Sequence, residues 1–274
     1  MCKVLGVSRS GYYKWQKALP SKRKKQREEL TKRIQYHYDD NNGLYGSPKI
    51  TQLLRREGRK VSQKTVGRIM RENGLRARTV RKFKVQTTDS NHNLPVAPNL
   101  LNQQFCTDAP NKVWVADITY IRTRQGMLYL ASVMDLFSRR IIGWALEERM
   151  TTELATKALD AAYTTKKPEP GLIHHSDRGS QYASKDYRNK LEKYKMVCSM
   201  SRKGNCYDNA CIESYHSALK RELVYLTKFK NKQEAKEQIY RYLEFFYNRK
   251  RIHSYLGYVS PDQFERLYYR SKAA

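Results

Sequence analysis

The sequence predicts an α/β protein: a mixed-sheet core over residues 111–225, with a basic helical region before it and a helical tail after it. Three observations carry this. Runs rich in Val, Ile, Trp and Tyr follow one another at 112–122, 127–135 and 139–146, with Arg124-Gln125-Gly126 as a turn between the first two. Helical and strand patterns then alternate from 151 to 200. Ahead of the core, residues 42–77 show two apolar stripes of helical period separated by Glu57-Gly58.

At 274 residues the chain exceeds one usual domain, which favours a main domain with smaller modules. Hydrophobic residues make up 39%, enough for a real core but not a large one. The formal charge is +28, and residues 1–100 hold 24 Lys and Arg against 7 Asp and Glu, so the excess sits mostly at the front. Such a surface attracts a polyanion, and DNA or RNA is the default partner. There is no run of about 18 apolar residues and no lipidation pattern, so no membrane partner is expected. The start, MCKVLGVSRSGYYKW, lacks the apolar stretch and cleavage site of a secretory signal, and a cytoplasmic protein is expected. Cys2, Cys106, Cys198, Cys206 and Cys211 form neither an even framework nor Cys-x-x-Cys pairs, which points to reduced thiols. Cys206, Cys211 and His216 lie near each other in sequence, but no second spaced pair completes four zinc ligands.

In chain order, Ser8 is placed to cap a helix bearing Tyr12, Tyr13 and Trp15, like the second half of a helix-turn-helix. With the charge-rich break at 18–34, residues 1–34 read as a partial helix-turn-helix and a basic linker; a solvated face explains the charge run as well as phosphate contact does. Residues 35–77 read as a helix-turn-helix-like DNA-binding module. Ile50, Leu53 and Leu54 stripe one helix, Ser62 caps a second with Val66, Ile69 and Met70 inside, and Lys60, Lys64, Arg68 and Arg71 remain outside as candidate DNA contacts. Residues 78–110 lack sustained periodicity and read as a linker.

Within 111–225, the three β-rich runs suit an antiparallel meander. A helix from about 151 to 165 follows, with Ala155, Ala158, Leu159 and Ala162 inward, then a strand before Asp177, a helix near 184–194, a short strand at 196–200 and a helix carrying Glu213. Strands first and alternation after is the order of an RNase H-like mixed sheet. The extension 226–274 holds a helix at about 232–248 in which Tyr242, Phe245 and Phe246 turn inward; Tyr255 also reads as packing, and His253 as a packed or hydrogen-bonding group. Arg249, Lys250 and Arg251 are candidate phosphate contacts.

The chemistry lies in three acids. Asp117 interrupts a segment containing Val113, Val115, Ile118 and Ile121, where a carboxylate is disfavoured by strand propensity and burial unless it is paired or binds a metal. Asp177 stands where a strand ends at Ser176-Asp177-Arg178-Gly179, the place where open α/β sheets carry ligands. Glu213, Ser217 and Lys220 fall at i, i+4 and i+7 of one helix, with Asp208 or Asn209 as its cap. Taken singly, most carboxylates are solvated surface groups and Glu213 would be unremarkable, whereas Asp117, inside an apolar strand, is not so explained; Asp135 reads as a turn acid. Together, three carboxylates make a hard, oxygen-rich site suited to Mg²⁺ or Mn²⁺ and unsuited to zinc. Two such ions about 4 Å apart can clamp the attacking and leaving oxygens of a phosphodiester displacement. His174 and His175, just before Asp177, are weaker candidates for assisting there.

With 35 residues between Asp177 and Glu213, the spacing resembles the DDE triad of the retroviral-integrase-like transposases. VWVADITYIRT, HHSDRGSQYAS, DNACIESYHSALKRE and YNRKRIHSYLGYVSPDQF resemble, in order, blocks of the OrfB catalytic part of the IS-three family of bacterial insertion sequences, a likeness running from Met1 to about Phe264. The resemblance implies a DNA transposase, a polynucleotidyl transferase performing Mg-dependent cleavage and strand transfer at the element's terminal inverted repeats and into target DNA. Asp117, Asp177 and Glu213 would hold two Mg²⁺ or Mn²⁺ ions, and Lys220 would match the family's basic residue near the DNA ends. It further implies at least a dimer, an upstream OrfA portion as partner, and a place at the bacterial nucleoid. The N-terminal zinc module of retroviral integrases has no counterpart here. Two alternatives stand beside this reading: an RNase H-type nuclease cutting the RNA of a hybrid, and a non-catalytic DNA-binding regulator, against which the intact triad argues.

Overall fold

The computed structural model describes residues 2–18, 21–78 and 94–273. The chain divides into two compact units, Met1–Arg78 and Thr79–Ala274.

In the first unit, helix α1 (Arg9–Lys17) starts where Ser8 Oγ accepts the Gly11 amide at 3.1 Å, and none of its residues is buried. Helix α2 (Lys22–Asp40) begins early in the charge-rich run at 18–34, which reads as a break leading into a helix. Ser21 caps it and its first turns are Lys, Arg and Gln, good helix formers needing no buried face. Helices α3 (Ser47–Arg56) and α4 (Gln63–Glu72) are joined by a turn in which Gly58 has φ +79°, the left-handed conformation glycine adopts without strain. Ile50, Leu54, Val66, Ile69 and Met70 are buried between them and α2's Ile34, while Lys60, Lys64, Arg68 and Arg71 are exposed, as the striping predicts. Arg33 and Arg59 of this unit pair with Glu57 and Glu29, tying α2 to the turn after α3.

The second unit is built on one five-stranded sheet in the order β3-β2-β1-β4-β5. Strands β1 (Val113–Thr123), β2 (Gly126–Asp135) and β3 (Ile141–Glu147) form the antiparallel meander, and β4 (Ile173–Ser176) and β5 (Val197–Met200) add in parallel to β1. Parallel neighbours need crossovers, supplied by α5 (Thr152–Lys166) and, after the short turn α6 (Ser180–Ala183), by α7 (Lys185–Lys193). Side chains alternate across β1. Trp114 and Ala116 pack with Ala131, Val133 and Ile142 against α5 and α7, whereas Val113, Val115 and Ile121 pack with Leu128 and Leu130 against α8 (Ala210–Leu219) and α9 (Lys232–Arg241). Gly143 admits α5 to the sheet: a Cβ there would stand 2.3 Å from the Ala158 carbonyl oxygen.

Three expectations are corrected here. Residues 94–110, read as linker, pack on the core: Leu101 is buried, the Leu100 amide donates to Ser199 Oγ at 2.9 Å, and the Met200 amide donates to the Pro98 carbonyl. The segment is irregular, so it carries no period to detect; residues 79–93 of that expected linker lie outside the described residues. The tail helix does not run on as α to 248. After α9 it widens into a π-helical turn, Tyr242–Tyr247, which shifts the inward face to Tyr242, Leu243 and Tyr247 and leaves Phe245 54% exposed. Tyr255, read as packing, is 56% exposed, and a further helix, α10 (Pro261–Ala273), follows with Pro261 in its first turn. Among the described residues, no helix is long and apolar enough to cross a membrane.

Candidate active site

Sheet register brings Asp117 and Asp177 to the same end of adjacent strands. β1 and β4 pair in parallel with Val115 opposite His175 and Ala116 opposite Ser176, so the next step along both chains reaches the two acids, about one strand spacing (~4.8 Å) apart at the backbone. Both are half-buried. Burial holds the Tyr182 phenol well above its ordinary pKa, and the charges of Tyr187, Asp117 and Asp177 all add to that effect, which places both carboxylates within electrostatic reach of one ring. Asp117 Oδ1 accepts the Ile118 amide at 2.8 Å, and Oδ2 lies 3.2 Å from His216 Nδ1. Asp177 Oδ1 accepts the Gly179 amide at 2.9 Å, closing the turn after β4.

Helix α8 lies over the Asp117 row. At its start, Asn209 Nδ2 donates to the Ala116 carbonyl at 3.3 Å; further along, the Tyr215 hydroxyl lies 3.3 Å from Ser132 Oγ, and Ser132 is the cross-strand partner of Asp117. Ile212, Tyr215, His216 and Leu219 face inward, leaving Glu213 and Ser217 exposed. Glu213 stands one turn before His216, the i,i+3 relation that puts two side chains on neighbouring parts of one helix face. Lys220 is half-buried with its Nζ 4.1 Å from the centre of the Tyr120 ring; burial lowers its pKa and the charge of Asp117 opposes that lowering. The structure thus joins Asp117, Asp177 and the Lys220 end of α8. It does not gather all three acids into a ready ligand set: among the described residues, no group of three His, Cys, Asp or Glu side chains is placed to hold a metal ion.

Other expected site residues fall elsewhere. Of the two residues expected to cap α8, Asn209 stands at the cap position and Asp208 does not. Asp208 is fully buried and receives the Arg202 amide, Nε and Nη2 at 2.8, 3.0 and 2.7 Å together with Asn99 and Gln103, and the Arg202 guanidinium foremost holds it well below the usual carboxylate range. Asp135 is the turn acid its sequence suggested, buried and accepting the Ser138 and Asn111 amides. His174 and His175 are interior groups and not assistants at the site. His174 Nε2 lies 3.0 Å from the Tyr187 hydroxyl, His175 sits between Ser199 and Ser201, and burial lowers their pKa values to about 3 and about 4. Arg251, expected at a phosphate, is consumed by an ion pair with Glu222, whereas Arg249 and Lys250 are exposed. Cys2, Cys106, Cys198 and Cys211 are free thiols; the side chain of Cys206 lies outside the described residues. Sequence reading gave His216 no part at the acids, though its position three residues after Glu213 was a usable signal.

The mixed sheet is the architecture of an integrase core, and the comparisons give the class: a polynucleotidyl transferase of the DDE type. The chain matches the integrase core domain family over residues 107–206, a second integrase core domain family over 194–261, and an HTH-like domain family over 25–83. It is 42% identical over 267 residues to the transposase InsF for insertion sequence IS3A of Escherichia coli strain K12, covering 97% of this chain and 92% of that one. It is 48% identical, over the full length of both, to the insertion element IS600 uncharacterized 31 kDa protein of Shigella sonnei. The chain therefore belongs to the IS3 family of insertion-sequence transposases, and it is a DNA transposase. Its fold is similar to that in a simian T-cell lymphotropic virus intasome solved in complex with PP2A regulatory subunit B56 gamma, with TM-score 0.50 and 15% identity over 85% of this chain and 74% of that one.

Proposed function

We propose that the chain cuts and joins DNA at the ends of its own insertion sequence by in-line displacement at a phosphodiester, with Asp117, Asp177 and Glu213 as the acting acids. The observation that supports this is the β1–β4 register, which pairs the residues just before Asp117 and Asp177, with α8, the helix that carries Glu213, packed on β1. The donor set fits a hard divalent ion: it is all carboxylate oxygen, and each Asp117 oxygen keeps lone-pair capacity beyond the one contact it makes. A pair of Mg²⁺ or Mn²⁺ ions, when bound, would supply Lewis acidity to the attacking water or DNA 3′-hydroxyl and to the leaving oxygen. Glu213, on the exposed face of α8, would complete the set. Lys220, held on Tyr120 beside Asp117, neutralises a phosphate. Lys60, Lys64, Arg68 and Arg71 of the first unit, with Arg249 and Lys250 of the tail, contact the DNA backbone. Bringing two ends together requires at least a dimer, and an upstream OrfA portion would add DNA-binding capacity.

The test is incubation of the protein with labelled duplexes carrying the element's ends, with and without Mg²⁺, beside a matched RNA–DNA hybrid. Mg²⁺-dependent nicking at the end and joining to a second duplex is the expected result. Cutting confined to the hybrid would assign an RNase H-type nuclease, and binding without any Mg²⁺-dependent cutting would leave only a regulator.

A further inference from the structure

We infer that His216 is a positioning residue for this reaction: it donates its Nδ1 hydrogen to Oδ2 of Asp117 and holds that carboxylate in the orientation in which it takes a divalent ion. The inference rests on the reading of Asp117 as a ligand. Three observations carry it. His216 Nδ1 is 3.2 Å from Asp117 Oδ2, in a side chain only 7% exposed. Its other nitrogen, Nε2, is buried and has no hydrogen-bond partner among the described residues. Placing the proton on Nδ1 leaves only a lone pair unpaired at Nε2; the opposite tautomer would strand a buried donor and set a lone pair against a carboxylate, so the Nδ1–H form is the one the geometry selects. Finally, the other Asp117 oxygen accepts the Ile118 amide at 2.8 Å. With the Ile118 amide on one oxygen and His216 Nδ1 3.2 Å from the other, turning the carboxylate plane about its Cβ–Cγ bond would separate it from both. A mid-strand aspartate free to turn would lose that alignment with Asp177. Partners of this kind behind a ligating side chain typically change metal affinity by 10–100-fold.

The experiment titrates Mn²⁺ into the full chain without DNA and reads bound against free ion by electron paramagnetic resonance, beside thermal unfolding. An asparagine side chain can present its amide where Nδ1 stands, whereas the glutamine amide falls where Nε2 stands. H216N should therefore bind Mn²⁺ within about threefold of the wild type, and H216Q and H216L about tenfold or more weakly. D117N serves as the control for the underlying reading. Should H216L not fold, the contrast between H216N and H216Q decides. Wild-type affinity in H216Q, or equal weakening in H216N and H216Q, overturns the positioning role. Wild-type affinity in D117N overturns the ligand reading itself and is a separate outcome.

Discussion

Arg251 and Glu222 form a two-pronged ion pair, with Nε 2.8 Å from Oε2 and Nη2 2.7 Å from Oε1, and the Tyr242 hydroxyl donates to the same carboxylate at 2.8 Å. The side chains are 12% and 13% exposed, so the pair links the end of the α8 region to the tail from inside. Removing one partner of such a pair leaves an uncompensated buried charge. R251A is expected to lose about 3–5 kcal/mol of stability, with R251K in between because a lysine cannot meet both oxygens. Urea unfolding measures this. A variant that keeps wild-type stability yet binds DNA more weakly would return Arg251 to the phosphate contacts.

The outward face of α4 makes a different prediction. Arg68 and Arg71 are exposed on a helix whose Val66, Ile69 and Met70 are buried. If each neutralises one phosphate, R68A/R71A lowers DNA affinity and reduces the slope of log affinity against log salt by roughly 2, about 0.9 per contact. Fluorescence anisotropy over a salt series gives that slope, and unfolding of the variant should match the wild type. An unchanged slope would mean that this face does not meet DNA.

His174 predicts a pH dependence of stability. It is completely buried against Tyr187, and burial lowers its pKa to about 3. Above pH about 6.5 the imidazole is neutral in folded and unfolded chain alike and contributes no slope. As pH falls below that value, the unfolded chain takes a proton that the folded chain refuses, so stability is lost by up to ~1.4 kcal/mol per pH unit. H174Q keeps a polar contact to Tyr187 without titrating. It should be less stable than the wild type at neutral pH, with a shallower decline between pH 6.5 and 5. Parallel pH profiles would show that His174 is not the source.

How much of this could be read from residues follows from what each signal measures. Ser8 and Ser62 cap the helices their sequence context assigns them, and the stripes over α3 and α4 bury the expected side chains except Leu53, which is half-buried, because capping and amphipathic period are local. Asp117 stood out since a charge inside an apolar strand contradicts its surroundings. The buried partners of Asp208 and Arg251 are not legible, for the complementary reason. Each of these two residues lies in a polar stretch that looks solvated, and only tertiary contact supplies the partners, Arg202 with Gln103 and Asn99 in one case, Glu222 in the other. Phe245 was misplaced by a π turn that no 3.6-residue period contains. Register was not legible: that Ala116 meets Ser176, and hence that two acids 60 residues apart in sequence come to the same end of neighbouring strands, depends on the parallel pairing of two strands joined by a crossover.

The acids themselves can be separated from the fold because most of their supporting contacts survive neutral replacements. Asn at 177 can still accept the Gly179 amide and Glu213 is exposed, so D177N and E213Q should unfold close to the wild type, whereas Asn at 117 keeps the Ile118 amide but sets its own amide against His216 Nδ1, so D117N should be somewhat less stable. Each removes a negative charge from the proposed metal site, where a neutral amide is a poor substitute for a carboxylate, and DNA cleavage and joining should fall by a factor on the order of 10³ or more. DNA binding should persist, since it draws on basic residues, and should strengthen slightly as repulsion from phosphate is relieved. D208N provides the contrast. Its carboxylate binds Arg202 and no part of the proposed centre, so its substitution should lower stability without a comparable, specific loss of chemistry in the protein that remains folded. Gel assays on labelled ends, paired with unfolding curves, distinguish the two patterns, and joining retained in any of the three acid variants removes that residue from the site.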